Sequence, residues 1–292
     1  MEKPLATLAQ RAWTAAFIWA LAGCASIPSG PERLAAATNL ARAQGWAEQV
    51  LQTETFALMA FAPAPSSSDA SKPTEELTIY IEGDGLAWLN ATDPSTDPTP
   101  RTPVALQLAL AQPQGAAAYL ARPCQFVGTE TPRCAPRYWT GSRFAPEVLR
   151  AMDSAVTQLK QRAGAKRVVL AGYSGGAALA LLLAARRDDV AAVLTIAGNL
   201  DHRAWTELHR VSPLSGSLNP ANEISRLRYV PQWHWVGARD SNTTESLARQ
   251  WVQSLGADAQ AMLVVVPEFT HTCCWAEAWP MLWSAHHKTA IK

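Results

Sequence analysis

Short apolar stretches alternate along the chain with longer amphipathic or alanine-rich stretches. Seven stretches have the length and the β-branched or apolar content of buried strands, and they are residues 55–62, 77–81, 117–121, 167–171, 190–197, 232–236 and 262–266. Three stretches with helical spacing are residues 146–163, 175–187 and 244–255. This alternation predicts an α/β fold, with a mostly parallel, doubly wound sheet and helices on both faces.

Three further segments complete the predicted organisation. Residues 34–52 are rich in alanine with apolar positions at near-helical spacing, which predicts one helix interrupted by Gly45. Residues 63–73 are rich in proline, serine and alanine and are predicted to be a loop. Residues 198–228 are predicted to be a long loop region. No internal repeat is present.

The first residues have the organisation of an export signal. Lys3 and Arg11 form a positive region that precedes a short apolar segment, residues 12–22, which is too short to be a comfortable permanent membrane span. It ends in the sequence LAGC, which resembles the lipobox of bacterial lipoproteins. That resemblance implies a signal peptide at residues 1–23 and lipidation of Cys24, which would anchor the protein in a membrane. Because Ala25 follows the cysteine, the resemblance favours the bacterial outer membrane, facing the periplasm.

Composition bounds the rest of the chain. With 292 residues, 48% of them hydrophobic and 17% charged, the chain can bury one large core, and residues 24–292 are predicted to form a single domain. The formal net charge is +1, and no run of lysine or arginine falls on a predicted helix. A net charge this small produces no long-range electrostatic attraction for polyanions, so nucleic acid is excluded as a partner.

Four further cysteines fit an exported protein. Cys124, Cys134, Cys273 and Cys274 form an even set that allows three pairings. A local disulfide between Cys124 and Cys134, which bracket a short loop, is the simplest prediction. The neighbours Cys273 and Cys274 are compatible with a vicinal disulfide, with two thiols or with bonds to the other pair. No metal site is predicted, because no second Cys/His cluster has zinc-like spacing.

The most specific motif is GYSGG at residues 172–176, a G-x-S-x-G sequence between a predicted strand and a predicted helix. In a nucleophile elbow the turn holds the serine in strained dihedrals, and small neighbours let the strand and helix approach. A glycine-rich structural turn is the alternative for an isolated motif, but the strand before it and the helix after it favour the elbow. No G-x-G-x-x-G sequence is present, so no dinucleotide is predicted.

A serine nucleophile needs a base, and the base needs an orienting carboxylate. His271 follows the last predicted strand, and Asp240 follows the strand before it, so both are predicted at the edge of the sheet where Ser174 lies. Asp201, after the strand at residues 190–197, is the alternative acid. His234 lies inside a predicted strand, which favours a core role.

The same chemistry needs backbone donors for the oxyanion of the tetrahedral intermediate. The N–H of Gly175, directly after the serine, is one predicted donor, and the N–H of Asp84 or Gly85 is the other. Charges on Glu82 and Asp84 would repel a developing anion if these side chains pointed inward. A plain Gly-Asp-Gly turn with solvated acids is the alternative.

From about residue 34 to residue 283 the chain resembles the α/β-hydrolase superfamily. It is similar, more narrowly, to bacterial lipoprotein hydrolases of unassigned substrate, through YIEGDG at 80–85, RPCQ at 122–125, GYSGG at 172–176, GNLD at 198–201 and CCW at 273–275. The resemblance implies a serine hydrolase without a cofactor, acting on a small-molecule or lipid ester. Amide or thioester hydrolysis uses the same triad. A non-catalytic envelope lipoprotein that uses the fold as a binding module is the second hypothesis. The sequence does not determine the oligomeric state.

Overall fold

The computed structural model describes residues 27–64, 74–129 and 133–290. The predicted signal peptide at residues 1–23, the predicted lipidation site Cys24 and most of the predicted loop at residues 63–73 lie outside these ranges.

The described residues form one eight-stranded sheet. The strands are β1 Trp46–Gln52, β2 Ala57–Pro63, β3 Thr74–Ile81, β4 Ala116–Leu120, β5 Ala165–Tyr173, β6 Val190–Ile196, β7 Gln232–Gly237 and β8 Ala261–Val266. Their order is β1-β2-β4-β3-β5-β6-β7-β8. The strands from β3 to β8 pair in parallel, whereas β2 is antiparallel to both β1 and β4. The carboxyl ends of β3 to β8 therefore meet at one edge of the sheet.

Helices cover both faces of this sheet. They are α1 Gly30–Arg42, α2 Val104–Leu110, α3 Pro146–Arg162, α4 Gly175–Ala184, α5 His202–His209, α6 Ile224–Leu227, α7 Glu245–Leu255 and α8 Trp275–Ala290, with 3-10 turns at Pro136–Tyr138 and Pro220–Glu223. Alternate residues of β5 point to opposite faces: Val168 and Leu170 pack with α3, α4 and α7, and Val169 and Ala171 pack with α1, α2 and α8. The predicted doubly wound α/β architecture is confirmed.

Two sequence predictions about secondary structure were wrong. The stretch at residues 34–52 is not one helix, because α1 ends at Arg42, Gly45 turns the chain with a φ of +74°, and β1 then pairs with β2. The segment at residues 198–228, predicted to be a loop, contains α5 and α6. Helices α2 and α8 were not predicted.

Two disulfides are present. Cys124 is bonded to Cys134, the pairing that the sequence favoured, and Cys273 is bonded to its neighbour Cys274. The second bond resolves the open question about these two neighbours in favour of a vicinal disulfide. Within the ranges that the structure describes, no helix combines the length and the apolar character needed to cross a bilayer.

Candidate active site

Ser174 sits in a sharp turn between β5 and α4. Its φ of 51° and ψ of −119° are strained for a residue with a side chain. The Ser174 N–H donates to the carbonyl oxygen of Ile196 over 3.0 Å, and the Ser174 carbonyl oxygen accepts from the N–H of Asn199 over 2.9 Å. The last residue of β6 and the segment that follows it therefore hold the strained turn through both backbone groups of Ser174.

Two glycines make this turn possible. A Cβ on Gly172 would overlap the backbone of Ala177, and a Cβ on Gly176 would overlap the carbonyl oxygen of Ile81. The turn is thus packed against its own helix and against the end of β3, with no room for side chains at these two positions.

The three residues predicted as a triad lie in a continuous line of hydrogen bonds. His271 Nε2 is 3.0 Å from Ser174 Oγ, and His271 Nδ1 is 2.9 Å from Asp240 Oδ2. Ser174 follows β5, Asp240 follows β7 and His271 follows β8, so the parallel sheet brings together residues that lie far apart in the chain. The distances are those of hydrogen bonds that could pass a proton from Oγ to Nε2.

Two side chains hold the loop of His271 in place. The hydroxyl of Tyr173 donates to the carbonyl oxygen of His271 over 3.1 Å, and the indole Nε1 of Trp275 donates to the same oxygen over 3.1 Å. The Tyr173 and imidazole rings also pack together, with centroids 5.5 Å apart. Because Tyr173 is the neighbour of Ser174, this contact couples the elbow directly to the predicted base.

Asp240 is fully enclosed and saturated with hydrogen bonds. One carboxylate oxygen accepts from the backbone N–H groups of Asn242 and Thr243, over 2.8 and 3.0 Å. The other accepts from the Thr243 hydroxyl over 2.9 Å and faces His271. Burial pushes the pKa of Asp240 upward, but the bonds from His271, Asn242 and Thr243 together outweigh it, so the pKa lies below its ordinary value. The carboxylate therefore stays ionised beside the imidazole.

Asp201, the alternative acid, has a different position. Its side chain caps α5 by accepting from the N–H groups of Arg203 and Ala204, over 3.0 and 3.3 Å, and from Asn219 Nδ2 over 2.7 Å. His234 is buried in β7, where its Nδ1 pairs with Thr195 Oγ1 over 2.8 Å. Burial lowers the pKa of His234 to about 3, so it is a neutral core residue.

The turn after β3 contains an ion-pair cluster that the sequence did not reveal. The Asp84 carboxylate is ion-paired with Arg122 and Arg143, and both arginines are buried. Burial raises the pKa of Asp84, but the two guanidinium groups outweigh this effect and hold it below its ordinary value. The cluster of one carboxylate and two guanidinium groups is net positive, so Asp84 does not present an unbalanced negative charge to the site.

Glu82, unlike Asp84, is held by hydrogen bonds from uncharged groups. Its buried carboxyl accepts from the N–H of Gly83 over 2.8 Å and from the hydroxyl of Tyr119 over 3.2 Å. Burial raises the pKa of Glu82 to about 7, the hydrogen bonds opposing it. Near neutral pH this side chain is therefore partly uncharged, which reduces the repulsion that its position would otherwise cause.

The predicted oxyanion donors are brought next to one another. Gly175 begins α4, where a helix leaves its first N–H groups without intrahelical acceptors. A Cβ on Gly175 would overlap the Asp84 side chain, so the turn after β3 packs directly against the elbow. Gly85 has a φ of +66°, and a Cβ there would overlap the carbonyl oxygen of Pro98. Which N–H, that of Asp84 or of Gly85, completes the oxyanion hole stays a prediction.

Several site residues were missed at the sequence level. Thr243 had a weak local signal, since it lies three residues after an aspartate in a turn-forming sequence. Arg122 and Gln125 lay in a segment noted only for its resemblance, and Gln125 Nε2 now proves to hold the carbonyl oxygen of Gly83 over 3.0 Å. Arg143 had no local signal, because only the tertiary structure brings it to Asp84.

A cavity or a metal-binding cluster away from the three triad residues could also form a site. A cavity of about 880 Å³ lies at the amino ends of the strands, where Thr78, Gln232 and Met262 are among its lining residues. This is the edge of the sheet opposite to Ser174. No group of three histidine, cysteine or acidic side chains that could hold a metal ion occurs in the part of the chain that the structure describes.

Comparison with known proteins identifies the fold. No family model and no curated protein matches the sequence. Among solved structures, a Klebsiella pneumoniae protein named as a candidate dienelactone hydrolase is 18% identical with a TM-score of 0.57, covering 82% of this chain and 95% of its own. Est1E from Butyrivibrio proteoclasticus is 13% identical with a TM-score of 0.55, covering 84% of this chain and 99% of its own. A puromycin-hydrolyzing peptidase from Mycobacterium tuberculosis is 12% identical with a TM-score of 0.59, covering 82% of this chain and 38% of its own. The fold is the α/β-hydrolase fold.

Proposed function

We propose that this α/β-hydrolase-fold protein is a serine hydrolase that cleaves carboxylic ester bonds. The observation that supports the proposal is the unbroken line of hydrogen bonds from Ser174 Oγ through His271 to Asp240, at the carboxyl edge of the sheet. The names of the structural neighbours, which include Est1E and a dienelactone hydrolase, agree with a hydrolase.

In the first half of the reaction Ser174 Oγ attacks the carbonyl carbon of the ester. His271 Nε2 takes the hydroxyl proton, and the carbonyl electrons move to the oxygen, which becomes the oxyanion. The backbone N–H of Gly175 and that of Asp84 or Gly85 donate to this oxygen. When the intermediate collapses, the bond to the alcohol oxygen breaks, and His271 returns the proton to the departing alkoxide.

In the second half water hydrolyses the acyl ester on Ser174. His271 Nε2 takes a proton from the water, the hydroxide attacks the acyl carbon, and the proton then passes to Ser174 Oγ as the carboxylic acid leaves. Asp240 accepts from Nδ1–H throughout, which fixes the tautomer of the imidazole and stabilises its cationic form.

We further propose that the protein is a lipid-anchored member of the bacterial envelope, in the outer membrane and facing the periplasm. Residues 1–23 would be removed, and the mature chain would begin at lipidated Cys24, as the lipobox sequence LAGC supports. The disulfides Cys124–Cys134 and Cys273–Cys274 agree with an oxidising compartment.

Labelling with a fluorophosphonate tests the catalytic proposal. We expect the full chain to react stoichiometrically, the Ser174→Ala variant not to react, and the His271→Ala variant to react very slowly. Ser254→Ala, which changes an exposed helical serine whose hydroxyl bonds only its own helix, is the matched control and should label like the wild type. If the folded wild type stays unlabelled, the protein is instead a non-catalytic binding module.

The choice of ester over amide or thioester rests on a second measurement. Matched ester, thioester and anilide substrates with one acyl group should give the highest kcat/KM for the ester. A higher value for the anilide would reassign the protein as an amidase while leaving the triad in place.

A further inference from the structure

The predicted anchor lies close to where the described chain begins. Two residues, Ala25 and Ser26, separate Cys24 from Ile27, and an extended chain spans at most about 3.5 Å per residue step, so three steps place Ile27 within about 10 Å of the predicted lipidation site. The position of Ile27 on the domain therefore decides which side of the protein faces the membrane.

A chain of contacts leads from this end to the nucleophile. Gly30 lies against the side chain of Asp97, and Arg33 Nη1 donates to the carbonyl oxygen of Thr99 over 2.7 Å. The carbonyl oxygen of Pro98 in turn accepts from the N–H of Leu86 over 3.1 Å, beside the turn that packs on the elbow. The start of α1 is thus held at the carboxyl edge of the sheet, the same edge as Ser174.

This edge also exposes large apolar side chains. Trp88 and Leu89 lie on the loop after β3, and Leu208 and Val211 lie on or just after α5, which follows β6. Together with Ile27 we call these residues the carboxyl-edge apolar set. Their side chains are between 41% and 53% exposed, so water contacts surface that burial would stabilise.

The two parts of the set flank the triad. Helix α5 packs beside the acid, since Trp205 Nε1 donates to Asn242 Oδ1 over 3.0 Å and Asn242 N donates to Asp240. The loop after β3 lies on the other side, through the turn that touches Gly175. Exposed Arg203 and Arg210 accompany the apolar residues of α5 and outnumber the one exposed acid of this helix, Glu207; basic residues beside apolar ones are typical of membrane-surface segments.

From these observations we infer that the carboxyl edge docks on the membrane that holds the anchor, and that the substrate is an acyl ester of a lipid in that membrane. This inference rests on the proposed function. A tether at Cys24 keeps the edge at the lipid surface, and tryptophan, leucine, isoleucine and valine side chains enter the interface. An ester drawn from the bilayer then reaches Ser174 without crossing water.

Two esters that share a leaving group but differ in acyl chain length test the membrane inference independently of the proposed function. The full lipidated chain is reconstituted in vesicles of phosphatidylethanolamine and phosphatidylglycerol. It is assayed with water-soluble 4-methylumbelliferyl acetate and with 4-methylumbelliferyl oleate, which partitions into the bilayer. The edge variant is Leu89→Ser with Leu208→Ser. The matched control is Tyr229→Ser with Met262→Ser, which removes two exposed apolar side chains at the amino ends of β7 and β8.

We expect the edge variant to hydrolyse the acetate at close to the wild-type rate, which also shows that it folds, and to lose about tenfold or more of the oleate rate. The control variant should keep both rates. Equal oleate rates in the edge variant and the wild type overturn the inference, as does a wild type that cleaves acetate but not oleate. Loss of self-association in the edge variant, with its oleate rate unchanged, would assign the edge to a second copy of the chain. If the wild type cleaves neither ester and does not react with fluorophosphonate, the proposed function itself fails.

Discussion

At the scale of single residues, hydrogen bonds separate Asp240 from Asp201 as candidates for the acid. Both follow strands and both are plausible from sequence. Asp240 uses one oxygen for backbone N–H groups of its own turn and leaves the other for His271. The Asp201 carboxylate instead accepts hydrogen bonds from the first N–H groups of α5 and from the side chain of Asn219. The proposed role of Asp240 therefore rests on the geometry of its second oxygen.

Replacing Asp240 by asparagine tests this role. In Asp240→Asn the amide would hold the imidazole in the wrong tautomer, and we expect kcat for ester hydrolysis to fall by about 10⁴-fold. Asp201→Asn is the matched control, because asparagine is also a good N-cap, and its kcat should stay within about threefold of the wild type. The opposite ranking in a steady-state assay would assign the acid to Asp201.

We expect Glu82 to make the free energy of unfolding depend on pH. Its pKa is raised by burial to about 7 from 4.5, so the folded state keeps a proton that the unfolded state releases. The stabilising contribution is complete below about pH 4.5 and is lost as the pH rises to about 7. We expect urea denaturation to show a fall in the free energy of unfolding across this window that Glu82→Gln does not share.

The control for Glu82 is an exposed glutamate. Glu207→Gln, on the surface of α5, should follow the wild-type pH dependence. If Glu82→Gln instead retains the wild-type slope, the Glu82 carboxyl does not hold a proton preferentially in the folded state.

At the scale of elements, the turn from β5 to α4 depends on close backbone approach. Gly172 faces the backbone of Ala177, and Gly176 faces the end of β3. The helix that follows is apolar on every side and completely buried, which matches its central position between α3 and the sheet. A change in the backbone of this turn would therefore move Ser174 relative to the ends of β3 and β6.

A single methyl group tests this packing. Gly172→Ala would force a Cβ into the backbone of Ala177, so we expect a loss of about 1–3 kcal/mol in the free energy of unfolding and slower fluorophosphonate labelling. Gly141→Ala is the control, because a Cβ at Gly141 has no neighbour within 4 Å. Equal stability of the two variants, measured by urea denaturation, would show that the turn can relax.

At the scale of the whole molecule, the proposed anchor at Cys24 would decide where the carboxyl edge of the sheet works. We expect the wild type to incorporate labelled palmitate during growth and Cys24→Ser to incorporate none, because the site of the acyl chains is lost. The rate with a soluble ester should stay unchanged, since Cys24 takes no part in the proposed triad. Ser26→Ala, a neighbouring change that keeps the thiol of Cys24, should incorporate palmitate like the wild type. Incorporation of palmitate by Cys24→Ser would contradict lipidation at this residue.

Elements with strong periodicity were predictable from the sequence, and those fixed by distant partners were not. The seven predicted strands and three predicted helices are all present, because apolar runs of that length have few other stable arrangements. Residues 46–52 were predicted wrongly because their strand conformation depends on pairing with β2, which local helix propensity does not reveal.

For this protein the sequence by itself determined the fold class, the elbow around Ser174, and the strand ends that hold Asp240 and His271, because these follow from local periodicity and from chain order. Only the tertiary structure placed Arg122 and Arg143 around Asp84, enclosed Glu82, and assigned Asp201 to a helix cap. Ion pairs and burial arise between residues that are distant in the chain, so no local pattern encodes them. For the same reason, only the tertiary structure shows that the start of α1 lies at the carboxyl edge of the sheet.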